Sequence, residues 1–155
     1  MRKRPLGQNF LVDTIIADSI IEFADIKKED DILEIGPGKA ILTERLLPLG
    51  RSLTAIELDP KLCRELEYRF KNKTCSFKII EGDATKFDYS SIKPDFKVVS
   101  NLPYYAATHI MKKLIHFGSR IQSMTLMMQK EVVDRLTAEV GNKEYGSLSV
   151  YVQYH

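Results

Sequence analysis

Short apolar runs alternate with helix-patterned segments along this chain, and four of the runs end on glycine or a polar residue. Ile32-Leu33-Glu34-Ile35 runs into Gly36-Pro37-Gly38, and Leu53-Thr54-Ala55-Ile56 ends at Glu57. Phe77-Lys78-Ile79-Ile80 ends at Gly82-Asp83, and Phe96-Lys97-Val98-Val99-Ser100 ends at Asn101-Leu102-Pro103-Tyr104. A fifth run spans Met124–Met128. Between the runs lie helical patterns. Ile15, Ile16, Ile20 and Phe23 recur at helical spacing behind Asp13 as a predicted N-cap, and Ala40–Leu49 reads as a helix stopped by Gly50. Asp59-Pro60 opens another helix, and a last one runs from about Lys130 to Val140. Strands that alternate with helices predict an α/β fold with a doubly wound, mostly parallel sheet. Ligands of such sheets sit outside the carboxyl ends of the strands, where all four polar endings fall.

With 155 residues the chain is long enough for one domain with a real core. Its apolar fraction of 44% and charged fraction of 28% are those of a globular protein, which excludes disorder and fibrous repeats. No apolar run approaches the roughly 20 residues that span a bilayer, and no apolar signal core follows the basic N-terminus. Cys63 and Cys75 lack metal-ligand spacing, so no metal site is predicted and a reducing cytoplasm fits. The net charge of +2 is too small to announce nucleic-acid binding. Arg2, Lys3 and Arg4 form a short basic arm that on charge alone reads as a solvated terminus. The same arm can neutralise phosphates, which makes these three the candidate RNA contacts.

Each polar strand end has a plain explanation by itself: glycines make turns, glutamates sit on surfaces, and Asn-x-Pro is common in turns. Position argues for more. Glycines between strand and helix let backbone approach a ligand. Glu57, about 20 residues beyond Gly36, is placed to accept ribose hydroxyls. Dinucleotides and S-adenosylmethionine both suit this arrangement. The dinucleotide fingerprint needs a third glycine, and Lys39, Ala40 and Ile41 follow Gly38 instead. Asp83 suits an acceptor for an adenine amine. Asn101-Leu102-Pro103-Tyr104 predicts chemistry on an exocyclic amine. The Asn101 side-chain oxygen and the Leu102 carbonyl would accept its hydrogens, Pro103 would hold the preceding residue extended, and Tyr104 would stack a flipped base. His109 and His116 flank an apolar helix pattern, where a bland reading outweighs a general-base role, and Met124, Met127 and Met128 read as core filler.

These motifs resemble those of the small-subunit ribosomal RNA adenine N6,N6-dimethyltransferase family, the kasugamycin-resistance type, from Leu6 to the last residue. Gly7-Gln8-Asn9-Phe10-Leu11 is similar to the family's N-terminal motif, which lies over the cofactor. Leu33–Gly38 resembles the glycine loop, Glu57-Leu58-Asp59 the ribose motif, and Gly82-Asp83-Ala84 the adenine motif. Met128–Leu136 and Tyr145–Val150 resemble segments of the ribosomal enzymes more than of the erythromycin-resistance methylases. The resemblance implies a Rossmann-like class I methyltransferase fold with S-adenosylmethionine as cofactor. It places cofactor contacts at Asn9, Leu11, Gly36, Gly38, Glu57, Leu58, Asp83, Ala84 and Asn101, and catalysis at Asn101, Leu102, Pro103 and Tyr104. Residues 1–155 are then one cofactor-binding catalytic domain, with a basic arm over residues 1–12. Its implied substrate is adenine N6 on two adjacent adenosines of small-subunit ribosomal RNA, and its implied partner is the small ribosomal subunit. Ala40 departs from the third glycine of many methyltransferases, with little harm expected. Family members have seven strands and a helical C-terminal domain, so the resemblance implies that two strands and that domain are missing here. A non-catalytic RNA-binding, ribosome-assembly or transcription factor on the same fold is the rival reading, and a dinucleotide-dependent oxidoreductase is a third.

Overall fold

The structure, a computed structural model, describes residues 10–71 and 76–154. Five strands, β1 (Asp31–Ile35), β2 (Ser52–Glu57), β3 (Ser76–Glu81), β4 (Phe96–Asn101) and β5 (Ile121–Met127), form one sheet in the order β3-β2-β1-β4-β5. All four pairings are parallel, as the alternation predicts. The helices are α1 (Thr14–Ala24), α2 (Thr43–Leu46), α3 (Pro60–Phe70), α4 (Ala107–His116), α5 (Lys130–Leu136) and α6 (Ser147–Tyr154).

Both faces of the sheet are covered, which explains the near-continuous apolar strands. On one face Ile32, Leu53 and Val99 pack against α1, α2 and α3 through Ala17, Ile20, Leu46, Leu66 and Phe70. On the other, Leu33, Ile35, Phe96 and Val98 pack against Tyr89 and against Ile110 and Leu114 of α4. Local chemistry sets the helix starts. Asp13 accepts the N–H groups of Ile15 and Ile16, and Asp59 caps α3 by accepting the Lys61 N–H, with Pro60 at the first helical position. Register sets the site. Ile35 pairs with Ile56, Ile56 with Ile80 and Asn101 with Met127, so the polar strand ends gather along one edge of the sheet. The strand order reverses between β1 and β4, and parallel sheets bind ligands at such a point.

Four expectations change. The helix predicted over Ala40–Leu49 shrinks to Thr43–Leu46, because Ala40 takes a left-handed conformation at φ 72° and uses the preceding residues in a turn. α5 ends at Leu136 rather than near Val140. In α1 the buried face is Ala17, Ile20 and Ala24, while Ile15 and Phe23 are exposed. Two alanines and Ile20 make that face, with Ile21 partly buried beside it. Met124 is 38% exposed rather than core, whereas Met127 and Met128 pack against the two cores.

Ala40 is fully buried, so its strain can be weighed. A left-handed L-residue costs about 1–2 kcal/mol. Glycine would remove that cost but lose about 0.8 kcal/mol of methyl burial and about 0.4–1 kcal/mol of unfolded-state entropy. Ala40→Gly is therefore expected to be near neutral in urea unfolding. Ala40→Val, β-branched and overpacked at the same φ, should lose about 2–4 kcal/mol. A valine variant as stable as the wild type would contradict this backbone assignment.

Candidate functional site

A cleft of about 910 Å³, part of it open to solvent, lies over the carboxyl ends of the strands. Its floor is the turn after β1. Gly36 at φ 68° and Gly38 at φ 54° both occupy the left-handed region, where a Cβ is strained. A Cβ on Gly38 would also lie 2.8 Å from the Phe10 ring, which closes over the turn with Lys39 Nζ 5.2 Å from its centroid. Two backbone links tie the turn to its neighbours. The Gly36 N–H donates to Ile56 O at 2.8 Å, and the buried Ser100 hydroxyl donates to Ile35 O.

Glu57 is 4% exposed and its carboxylate is held by backbone. Oε1 accepts the Leu58 and Asp59 N–H groups at 2.9 and 3.0 Å, and Oε2 accepts the Gly38 N–H at 3.2 Å. The amide that would cradle a phosphate in a dinucleotide site thus already faces a carboxylate. Glu34 lines the same cleft and is 1% exposed. Burial pushes its carboxyl up to about 8, the Thr43 hydroxyl donated at 2.7 Å opposes this, and the Glu57 charge adds to it. Asp83, half-buried after β3, accepts the Thr85 hydroxyl at 2.6 Å and the Thr85 N–H at 2.9 Å through Oδ1. The Thr85 hydroxyl holds its carboxyl below the usual carboxylate value.

The remaining wall follows β4. Asn101 Oδ1 is buried and accepts no hydrogen bond among the described residues. Buried acceptors are rarely left so, and this one lines the cleft. Leu102 is 1% exposed, with its N–H on Met127 O at 3.0 Å, and Pro103 O accepts the Ala106 N–H. Tyr104 and Tyr105 stand at the mouth, 39% and 62% exposed.

Of the residues singled out in the sequence, Leu11, Gly36, Gly38, Glu57, Leu58, Asp83, Ala84, Asn101, Leu102, Pro103 and Tyr104 all line this cleft. Asn9, Arg2, Lys3 and Arg4 lie outside the described residues. Glu34, Tyr105 and Thr85 line it too, although sequence reasoning gave them no role. Glu34 had a signal, a lone charge inside an apolar strand. Among the described residues no cluster of three His, Cys, Asp or Glu could hold a metal, and no helix is long and apolar enough to cross a membrane.

The sequence profile of the family described as ribosomal RNA adenine dimethylase matches residues 1–155. The ribosomal RNA small subunit methyltransferase A of Clostridium acetobutylicum is 44% identical over 97% of this chain and 55% of its own length. That of Pseudomonas savastanoi pv. phaseolicola is 45% identical over 99% of this chain and 58% of its own. The chain thus spans little more than half the length of the curated relatives it matches. Among solved structures, a dimethyladenosine transferase from Plasmodium falciparum superposes with a TM-score of 0.84 at 33% identity, covering 94% of this chain and 52% of that one. The 23S rRNA methyltransferase ErmE superposes at 0.76 with 26% identity, covering 86% and 53%.

The Glu34 carboxyl sets a pH test. Its folded value is raised from 4.5 to about 8, so the native state holds this proton where the unfolded chain has lost it. The stability it contributes is complete below about pH 4.5 and is lost as pH rises through 8. Asp83, whose carboxyl is lowered, titrates below this window. Glu34→Gln removes the titration and keeps an oxygen for Thr43. Between pH 6 and 8.5 the wild type should lose more stability in urea unfolding than the glutamine variant, by on the order of 1 kcal/mol or more. Parallel losses would mean that Glu34 ionises normally.

Proposed function

The chain belongs to the ribosomal RNA adenine dimethylase family, and on that premise we propose that it binds S-adenosylmethionine and methylates adenine N6 in small-subunit ribosomal RNA, twice on each of two adjacent adenosines. The observation that carries the reading is the composition of the cleft wall. Two carboxylates, Glu57 and Asp83, line it with the buried Glu34 carboxyl and the unpaired amide oxygen Asn101 Oδ1. Such an acceptor-rich wall repels a pyrophosphate. It suits a ligand with a sulfonium charge, an ammonium, two ribose hydroxyls and an adenine amine. Glu57 Oε2, with one backbone donor at 3.2 Å, keeps capacity for ribose hydroxyls. Asp83, with Thr85 on Oδ1 and the Lys86 ammonium 3.9 Å from Oδ2, keeps acceptor capacity on Oδ2 for the adenine amine. Phe10, Leu11, Leu58 and Ala84 belong to the apolar part of the lining, and Asn9 is proposed to join them from the family's N-terminal motif.

Bound S-adenosylmethionine would supply a methyl group on sulfur that is already a good leaving group. The work left to the protein is positioning and desolvation. Asn101 Oδ1 has an acceptor lone pair available in a buried place, and we assign it a hydrogen of the target amine. With the Leu102 carbonyl as second acceptor, the amine is held towards a pyramidal nitrogen whose lone pair leaves conjugation with the ring and faces the methyl donor. Pro103 keeps Leu102 in extended backbone. Tyr104 offers its exposed ring to the flipped base, a contact of about 1–3 kcal/mol. Arg2, Lys3 and Arg4 are assigned phosphates of the RNA. The cytoplasm is the proposed compartment, in keeping with the buried free thiol of Cys63.

Isothermal calorimetry tests the cofactor. The chain should bind S-adenosylmethionine and not NAD, and Asp83→Ala should weaken binding by about 1–3 kcal/mol. NAD binding, or wild-type affinity in Asp83→Ala, would overturn this assignment. Chemistry separates from binding at Tyr104. In a protein of the relatives' full length, Tyr104→Ala should keep cofactor affinity while single-turnover methylation of small-subunit particles falls roughly 5- to 150-fold, the loss expected from about 1–3 kcal/mol of stacking. Unchanged methylation would remove the stacking role.

A further inference from the structure

A second concavity adjoins the cleft, and Thr85, Tyr104 and Tyr105 line both. Its far wall is the outer face of α4. His109, Lys112 and His116 line it at spacings of three and four, on one side of the helix, while Ile110, Met111 and Leu114 are buried on the other. None of the three cationic or titratable residues makes an ion pair among the described residues. Lys112 instead lies 5.7 Å from the centroid of Tyr151 of α6. Lys113 differs, since it donates to Thr85 O at 3.1 Å and sits over the Tyr89 ring, so it braces the wall. Among the described residues no carboxylate lines this groove.

The sign of the lining therefore changes across Tyr104 and Tyr105. Carboxylates line the cleft on one side, and the groove on the other is basic and aromatic. A row of basic side chains beside exposed aromatic rings is the chemistry that tracks a single nucleic-acid strand, with phosphates on the charges and bases on the rings. A duplex would bring phosphates but offer Tyr105 no open base face. We infer that this groove carries the single-stranded RNA next to the target adenine, with His109, Lys112 and His116 at phosphates and Tyr105 against a neighbouring base. The inference rests on the RNA-methylation reading and adds the path of the substrate. It also predicts why two tyrosines follow Pro103: one faces the target base and the next its neighbour.

The test uses fluorescence anisotropy with a single-stranded RNA of about 12 nucleotides containing two adjacent adenines. Calorimetry with S-adenosylmethionine runs beside it. Lys112→Ala combined with His116→Ala should weaken RNA binding about tenfold in 0.1 M salt and flatten the salt dependence, by about 0.7 in log–log slope for each phosphate no longer neutralised. Cofactor affinity and thermal unfolding should stay those of the wild type, because both residues lie on the outer face of α4 and outside the cleft lining. Lys112→Arg should retain RNA binding. Cross-linking of a 4-thiouridine RNA should label Tyr105 or α4. Unchanged RNA affinity and slope in the double variant would overturn the inference, as would a wild-type chain that binds S-adenosylmethionine but not this RNA. An acidic peptide of equal charge that binds as tightly, with the same loss in the variant, would also overturn it in favour of a protein partner. If the wild type bound RNA through this groove but not S-adenosylmethionine, the groove would stand and the cofactor reading would fail.

Discussion

The Glu57 carboxylate, buried at the end of β2, accepts N–H groups from Leu58 and Asp59 behind it and from Gly38 across the turn after β1. An isolated charge taken out of water in this way is costly, and charge-assisted bonds from backbone donors offset the cost. The same bonds fix the glycine turn against the second strand. With Gly36 tied to Ile56 and Ser100 tied to Ile35, the ends of β1, β2 and β4 form one rigid edge. Every other feature of the cleft hangs from this edge: the Phe10 ring over Gly38, Glu34 beneath the turn, and Asn101 at the end of β4.

The electrostatics follow from the same arrangement. Full burial raises the cost of ionising Glu34, and the neighbouring Glu57 charge adds to it. A natural partner for such a wall is a ligand rich in donors and positive charge. The family relationship points to S-adenosylmethionine, and the proposed assignments give each polar group of the wall a partner on that ligand. Across Tyr104 and Tyr105 the lining turns basic, which suits the polyanionic substrate proposed for it. On the proposed reading, one surface presents opposite signs to the methyl donor and to the RNA, with the aromatic pair at the boundary between them.

Much of this was legible in the sequence because parallel strands buried on both faces read as apolar runs, and their polar ends stand out. The five strands and their site-bearing ends come from that pattern alone. Ala40 hid the true length of α2, since helical spacing of Ile41, Leu42, Leu46 and Leu47 says nothing of a left-handed residue before them. The inner face of α1 was obscured because two of its three buried residues are alanines, which leave no mark in an apolar pattern of large residues. Glu34 stood in plain view, but its raised carboxyl depends in part on Glu57, which is distant in sequence and adjacent only through strand pairing. His109 and His116 looked bland one at a time. Their meaning comes from Lys112 between them and from the groove that Tyr105 closes.

The central claim is that the strand-end carboxylates and Asn101 form a wall for S-adenosylmethionine. A crystal structure of the chain with S-adenosylhomocysteine tests it most directly. The account predicts the ribose hydroxyls on Glu57, the adenine amine on Asp83, and the sulfur facing Asn101 and Tyr104. A ligand bound elsewhere, or seated in the cleft with Glu57 and Asp83 both out of hydrogen-bond reach, would contradict it.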